Sequence, residues 1–442
     1  MKKIFTPMAA ALLTAMTCAA PLSAQEDKEY TDGVFVLNEG WYGHENASIN
    51  YLNADGTWDY RVLQQANGED VQLGCTGCYA TIADGRMYIV SKQEQDPGAT
   101  VEGARLTVCD AKTMKRLAAV KTIGDNADGR AFLAVPELHR GYASTSNGVY
   151  VFDLDTYENL GVVTGTENTS GSLYNGQMGS MIYYSGMILA VNQDKGLVII
   201  NPESDAVEMT LNAEEEGWAY GSIVQSKDGQ VWLSVASTDG MGNTQNYLRR
   251  FNPETLQLEK VDLPDGINAP ANSWYAWTPD CFCASTKSNC LYWNGGTSSW
   301  FSAQSIYKYD IDANTFSQII DFASTESNTY VYGACCRVHP ETDDLYIGVT
   351  IGAYSNNTQL RVYSNTGELK NTYAMTENYW FPELPVFPAS ATSAGIREHR
   401  TTAADAVETA RYNTSGHLLA APAKGINIIQ YSDGTTRKVV VK

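Results

Sequence analysis

The chain has 442 residues, with 50 acidic against 30 basic side chains and a formal net charge of −20. So acidic a chain repels phosphate backbones, which argues against a general nucleic-acid binder. Charged residues are only 18% and hydrophobic ones 43%, which supplies a packed core and argues against wholesale disorder.

In chain order, residues 1–24 read as a secretory signal. Lys2 and Lys3 form a basic start, an apolar stretch follows, and Leu22-Ser23-Ala24 gives the small-residue cleavage pattern before Gln25. The apolar run is too short and too broken to span a bilayer. Lipidation at Cys18 is disfavoured, because Thr17 stands where a small Gly, Ala or Ser is usual. The protein is therefore expected to be exported, to the periplasm, the cell surface or the medium.

From residue 25 to 388 one unit recurs: an apolar strand, a variable loop, a second strand ending in a turn, and a third strand. The copies are GVFVLNEG with SINYLNADG, RMYIVSK with RLTVCDAKT, GYASTSNGVYVFDLDT, MILAVNQ with LVIINPES and AVEMTL, QVWLSVAS with YLRRFNPET and LQLEKVDL, NCLYWNGG with SIYKYDIDANT, and DLYIGVT with LRVYSNTGE. That makes seven. Each copy but the first has a leading apolar strand, near residues 78–83, 130–135, 179–184, 221–226, 280–284 and 333–338. Four short antiparallel strands every ~45–50 residues predict an all-β, seven-bladed β-propeller, since one blade cannot bury its faces alone. The first copy lacks a leading strand, and the segment ELPVFP ending at Pro388 has no partner. The economical solution is that it pairs into the first blade and closes the ring, with its prolines at tolerable strand positions.

Residues 389–408, rich in Ala, Thr and Ser, read as a linker. Residues 409–442 carry alternating apolar runs around a turn at Ser432-Asp433-Gly434 and read as a small β-domain.

The segments NEGWYGHENASINYLNADG, GSMIYYSGMILAVNQDKGLVIINPES and YWFPELPVFP resemble the Bacteroidetes secreted propellers grouped with YncE-like proteins, over about residues 30–388. That family includes a surface cobalamin-binding propeller that partners an outer-membrane vitamin transporter. The resemblance implies a propeller fold and offers a corrinoid as a ligand and an outer-membrane transporter as a partner. The C-terminal elements "YN..G", "KGI.I" and "SDG..RKVVVK" resemble the sorting domains read by type IX secretion; a plain β-hairpin is the alternative.

In such a ring, loops joining second to third strands share a face with the loops between blades. That face is expected to gather Trp41, Tyr42, His44, Trp218, Tyr220, Trp274, Tyr275, Trp277, Trp300, Phe301, Tyr354, Tyr379 and Trp380. Aromatics converging on a concave mouth suit a flat or ring-bearing ligand; packing against neighbouring loops is the structural alternative. No catalytic set is evident. His139 and His339 fall on the opposite face, and only His44 on the loop-rich one, so a multi-His metal site is not expected. The loop acids Glu39, Glu45, Asp96 and Asp239 lack the spacing of a calcium loop. No cofactor motif is present. The six cysteines Cys75, Cys78, Cys281, Cys283, Cys335 and Cys336 lie on or just before innermost strands. A disulfide between Cys281 or Cys283 and Cys335 or Cys336, buried thiols, and a thiolate metal site all remain open. The favoured function is non-catalytic capture of a small ring-bearing ligand. A protein- or glycan-interaction module and a lactonase- or lyase-like enzyme are the alternatives.

Overall fold

The computed structural model describes residues 28–388 and 407–441, apart from Asn126, Tyr174 and segments 212–219, 239–243, 271–281, 296–301 and 433–435. The expected signal and linker lie almost wholly outside these residues.

Seven antiparallel sheets follow one another along the chain. Blade 2 shows the pattern: Cys75–Ala83, Arg86–Gln93, Leu106–Asp110 and Arg116–Val120 pair in sequence order, from the axis outward. Local chemistry sets the turns. The first hairpins of blades 2 and 4 turn on Asp84-Gly85 (φ 47° and 71°) and Ser185-Gly186 (φ 55° and 82°). Two successive positive φ values make the tight turn whose twist matches the strands. The third-to-fourth-strand turns repeat a different device. Asp110, Asp153, Asn201, Asn252 and Asp310 each accept backbone N–H groups two or three residues on. A left-handed residue then closes the turn: Met114, Tyr157, Asp205, Leu256 or Asn314. The short Asp/Asn acceptor competes well for local amides, which explains why DAKT, DLDT, NPES, NPET and DIDA recur.

The ring closes as expected. Pro382–Val386 pairs antiparallel with Val34–Asn38 and becomes the innermost strand of blade 1, with Leu384 opposite Leu37. It has a sheet neighbour on one edge only, so the missing N–H of Pro385 interrupts no continuing ladder. The innermost strands of adjacent blades pack against one another all the way round. Seven apolar clusters fill the seven spaces between blades. A blade has two apolar faces and no layer of its own to cover them, so the core is divided into seven wedges.

Bulges recur in the innermost strands, between Gly77 and Tyr79, Gly129 and Ala131, Met178 and Met181, Tyr220 and Ile223, and Val331 and Cys336. A bulge re-aims side chains, here at the strand ends nearest the loop-rich face. In the last of them Gly333 has φ +49°, and a Cβ there would meet the Glu383 carboxylate at 2.0 Å.

The C-terminal residues form a separate sheet of Glu408–Asn413, Gly425–Tyr431 and Thr436–Val441. It is docked against the turns on the far side of blades 4 and 5. Ile426 enters the apolar cluster between those blades, and its N–H donates to Pro253 O at 3.0 Å. Ser415 donates to the Glu254 carboxylate, and Arg437 pairs with Glu203.

Candidate ligand-binding site

The loop joining Val34–Asn38 to Ser48–Leu52 carries Trp41, Tyr42 and His44 to the loop-rich face. The chain entering the closing strand carries Tyr379, Trp380 and Phe381 beside it. Two neighbours fix the first loop. Glu39 N–H donates to Phe381 O at 2.8 Å, and Gly77 N–H of blade 2 donates to Glu39 O at 3.2 Å. Asp96 of blade 2 accepts Gly43 N–H at 2.8 Å, while its own N–H donates to Asn46 Oδ1 at 2.8 Å. Gly40 (φ +86°) is required at the bend, since a Cβ would lie 2.7 Å from Asn46 O.

On this frame the rings form a ladder. His44 stacks on Trp41 at 3.6 Å between centroids, and Trp41 meets Tyr379 at 4.2 Å. Tyr379 leads to Phe381 at 5.9 Å, which meets Tyr332 at 4.9 Å and Tyr354 at 6.3 Å. Two of these contacts are stacked, two tilted and one edge-on. At the inner end Tyr332 Oη–H donates to Glu39 Oε2 at 2.5 Å. Glu39 is only 6% exposed, while Tyr42 and Tyr354 are 62% and 63% exposed. Partial burial and the nearby Glu39 carboxylate raise the phenol pKa of Tyr354.

Five of the sequence-predicted residues, Trp41, Tyr42, His44, Tyr354 and Tyr379, reach this surface. Two do not. Trp380 is 4% exposed: it stacks on Tyr60 at 5.3 Å, donates Nε1–H to Thr376 O, and fills the wedge between blades 7 and 1. Tyr220 is buried in the wedge between blades 4 and 5. Both are core residues because their positions face the next blade rather than the mouth. Trp218, Trp274, Tyr275, Trp277, Trp300 and Phe301 lie outside the described residues. Tyr332 and Phe381 escaped the sequence reading. They flank the bulge and the chain entry, and only the closed ring brings them together.

The other loop acids serve the frame. Glu45 pairs with Arg61 at 2.6 Å, and Arg61 lies over the Trp380 ring. Asp96 takes Gly43 and Gly98 amides; Asp239 lies outside the described residues. His139 and His339 sit at first-to-second-strand turns on the opposite face. His139 Nδ1 faces Asp155, while His339 Nδ1 accepts from Glu341 and Thr342 amides. Near that mouth lies a cavity of about 200 Å³ lined by Tyr79, Ile82, Arg337, Leu384, Pro385 and Phe387.

The seven described cysteines are buried thiols. Cys283 and Cys336 share a thiol–thiol hydrogen bond in the wedge between blades 6 and 7. Cys335 instead packs its Sγ against Gly348; Cys281 lies outside the described residues. Burial pushes Cys75, Cys78 and Cys109 up to about 12.

Fold and site together define a seven-bladed β-propeller with an aromatic cluster on its loop-rich face. Residues 32–388 match the model of the family described as "Domain of unknown function (DUF5074)", and the chain belongs to that family. No curated protein matches the chain. A chain in the crystal structure of a mitotic checkpoint complex is similar at 12% identity over 99% of each chain, with a TM-score of 0.47.

Proposed function

We propose that the protein is an exported, non-catalytic binding protein that captures a small ring-bearing ligand on the surface formed by Trp41, Tyr379 and Tyr354 over the buried Phe381. The observation that carries this is the ladder's form. A braced series of rings runs from the exposed Trp41 and Tyr354 to the buried Phe381 and Tyr332 and ends beside a buried carboxylate. Such a surface removes a flat ligand's faces from water and offers one polar group to fix its orientation. A corrinoid such as cobalamin is the most concrete candidate, on the resemblance of the sequence to secreted propellers. Delivery to an outer-membrane transporter at the cell surface would follow from the same resemblance. The docked C-terminal sheet lies on the face away from the ladder, so an address at that end leaves the site open.

The test is calorimetric titration of the full chain with cobalamin, repeated with the double variant Y42A/Y354A. Saturable one-to-one binding that weakens at least about tenfold in the variant supports the reading. Binding that the variant leaves unchanged moves the site elsewhere, and a flat titration removes the corrinoid.

A further inference from the structure

We infer that His44 is an axial ligand for the metal of a planar macrocycle. Its outer ring nitrogen takes one open coordination position of a metal that the ligand itself carries, as in a corrin or a metalloporphyrin. This rests on the exposed rings being the binding surface, and adds the atom that orients the ligand and the ligand class that fits it.

The His44 side chain is exposed, yet the chain around it is held. Its backbone N–H donates to Trp41 O at 2.9 Å, and Glu45 N–H donates to the same oxygen at 3.1 Å. On one side Gly43 N–H is fixed by Asp96 at 2.8 Å; on the other the Glu45 carboxylate pairs with Arg61 at 2.6 Å. The blade 2 loop lies so close that a Cβ on Gly98 would meet His44 Cα at 2.7 Å. The imidazole lies nearly flat on the Trp41 indole, 3.6 Å between centroids with the planes 12° apart, and Tyr379 packs on Trp41 in turn at 4.2 Å. A solvent-facing ring held in this way gives up little freedom on binding. Its two nitrogens are set apart. Nδ1 lies 3.3 Å from the Tyr42 carbonyl oxygen. That oxygen can only accept, so in the neutral ring the proton sits on Nδ1 and the lone pair on Nε2. Histidines that ligate metals characteristically donate their other N–H to a carbonyl or carboxylate, which fixes the tautomer and makes the ligating nitrogen more basic. Among the described residues no three metal-ligating side chains converge, and a single imidazole does not retain a free ion. It suffices for a metal already held by a macrocycle, which needs only an axial donor. The exposed Tyr42 and Tyr354 and the half-buried Tyr379 offer such a macrocycle aromatic surface on the same face. In the binding step the Nε2 lone pair forms the bond to the metal and a metal-bound water leaves with its own pair; no electron is transferred and no proton moves.

The test titrates the full chain with two cobinamides by calorimetry and absorption spectroscopy: the diaqua form, whose axial waters exchange, and the dicyano form, whose axial positions are blocked. Iron(III) protoporphyrin IX is titrated alongside to tell a porphyrin from a corrin. The expected result is that diaquacobinamide binds at least about tenfold more tightly than the dicyano form, and that its corrin absorption bands shift on binding. H44F keeps a ring on Trp41 and removes the nitrogen. In it the band shift should vanish, the preference should fall at least about fivefold, and dicyanocobinamide should bind as before. H44A repeats the comparison if H44F does not fold by circular dichroism. A porphyrin band shift that H44F abolishes, with neither cobinamide binding, upholds the ligation and names the porphyrin as its source. A preference and band shift that H44F leaves unchanged overturn the inference, since charge or another donor then accounts for them. Equal binding of both cobinamides without a shift, weakened in Y42A/Y354A, overturns the ligation and leaves the surface reading standing. Failure of all three probes to bind, or binding that H44F and Y42A/Y354A both leave untouched, overturns the surface reading and the inference together.

Discussion

Replacing Leu384 by Ala should destabilise the propeller by about 3 kcal/mol, although the residue lies after all seven repeats have ended. Leu384 is buried in the closing strand, opposite Leu37, and packs with Phe35, Ala80 and Ile82 in the wedge between blades 1 and 2. Truncation removes its transfer free energy and leaves a cavity that a wedge held on both sides cannot collapse into, a cost of about 2–5 kcal/mol for Leu to Ala. The control is Leu369 to Ala, the same chemistry on the exposed outer strand of blade 7, where a change under about 0.5 kcal/mol is expected. Urea unfolding followed by tryptophan fluorescence reads both, with the free-energy change taken from the midpoint shift at a common slope. A 3 kcal/mol loss is a change of roughly 150-fold in the folded-to-unfolded ratio. Leu37 to Ala in the same background should be non-additive, because the two side chains share one cluster. If L384A costs no more than L369A, the strand does not close the ring and the wedge argument fails.

Trp380 to Ala should cost about 3–5 kcal/mol in the same unfolding assay without altering cobalamin affinity in folded protein, whereas Tyr354 to Ala should do the reverse. Ile426 to Asp buries a charge in the wedge between blades 4 and 5; the C-terminal sheet should detach and become the first site of limited proteolysis, with the propeller resistant. Burial holds Cys78 and Cys109 near 12 against an ordinary value near 9. Their protonated forms are favoured in the folded state, so this contribution to stability is intact below pH 9 and is lost as the pH rises from 9 to 12. Chemical unfolding midpoints should fall across that window. At pH 8 a thiol reagent should label Cys78 and Cys109 only after denaturation.

The repeat was legible in the sequence because turns and strands are set locally. The Asp or Asn acceptor of each third-to-fourth-strand turn, the Asp84-Gly85 and Ser185-Gly186 hairpins, and the alternation of the strands act over a few residues each. Even the closing strand could be placed, since a first repeat lacking a strand and an orphan strand at the other end have one economical pairing. Trp41, Tyr42, His44, Tyr354 and Tyr379 lie on the loops that the strand order assigns to the loop-rich mouth.

What the sequence could not decide is which ring on a loop faces solvent and which faces the next blade. Tyr379, Trp380 and Phe381 are consecutive, yet only Tyr379 keeps partial exposure: Trp380 fills the wedge between blades 7 and 1, and Phe381 is buried against Tyr332. That choice depends on where blade 7 and the closing strand meet, across more than 300 residues from Tyr60 and Arg61, which receive the Trp380 ring. Glu39 and Tyr332 likewise become partners only through closure, 293 positions apart. Local geometry determined the blades; the ring, through contacts between the chain's two ends, decided the site.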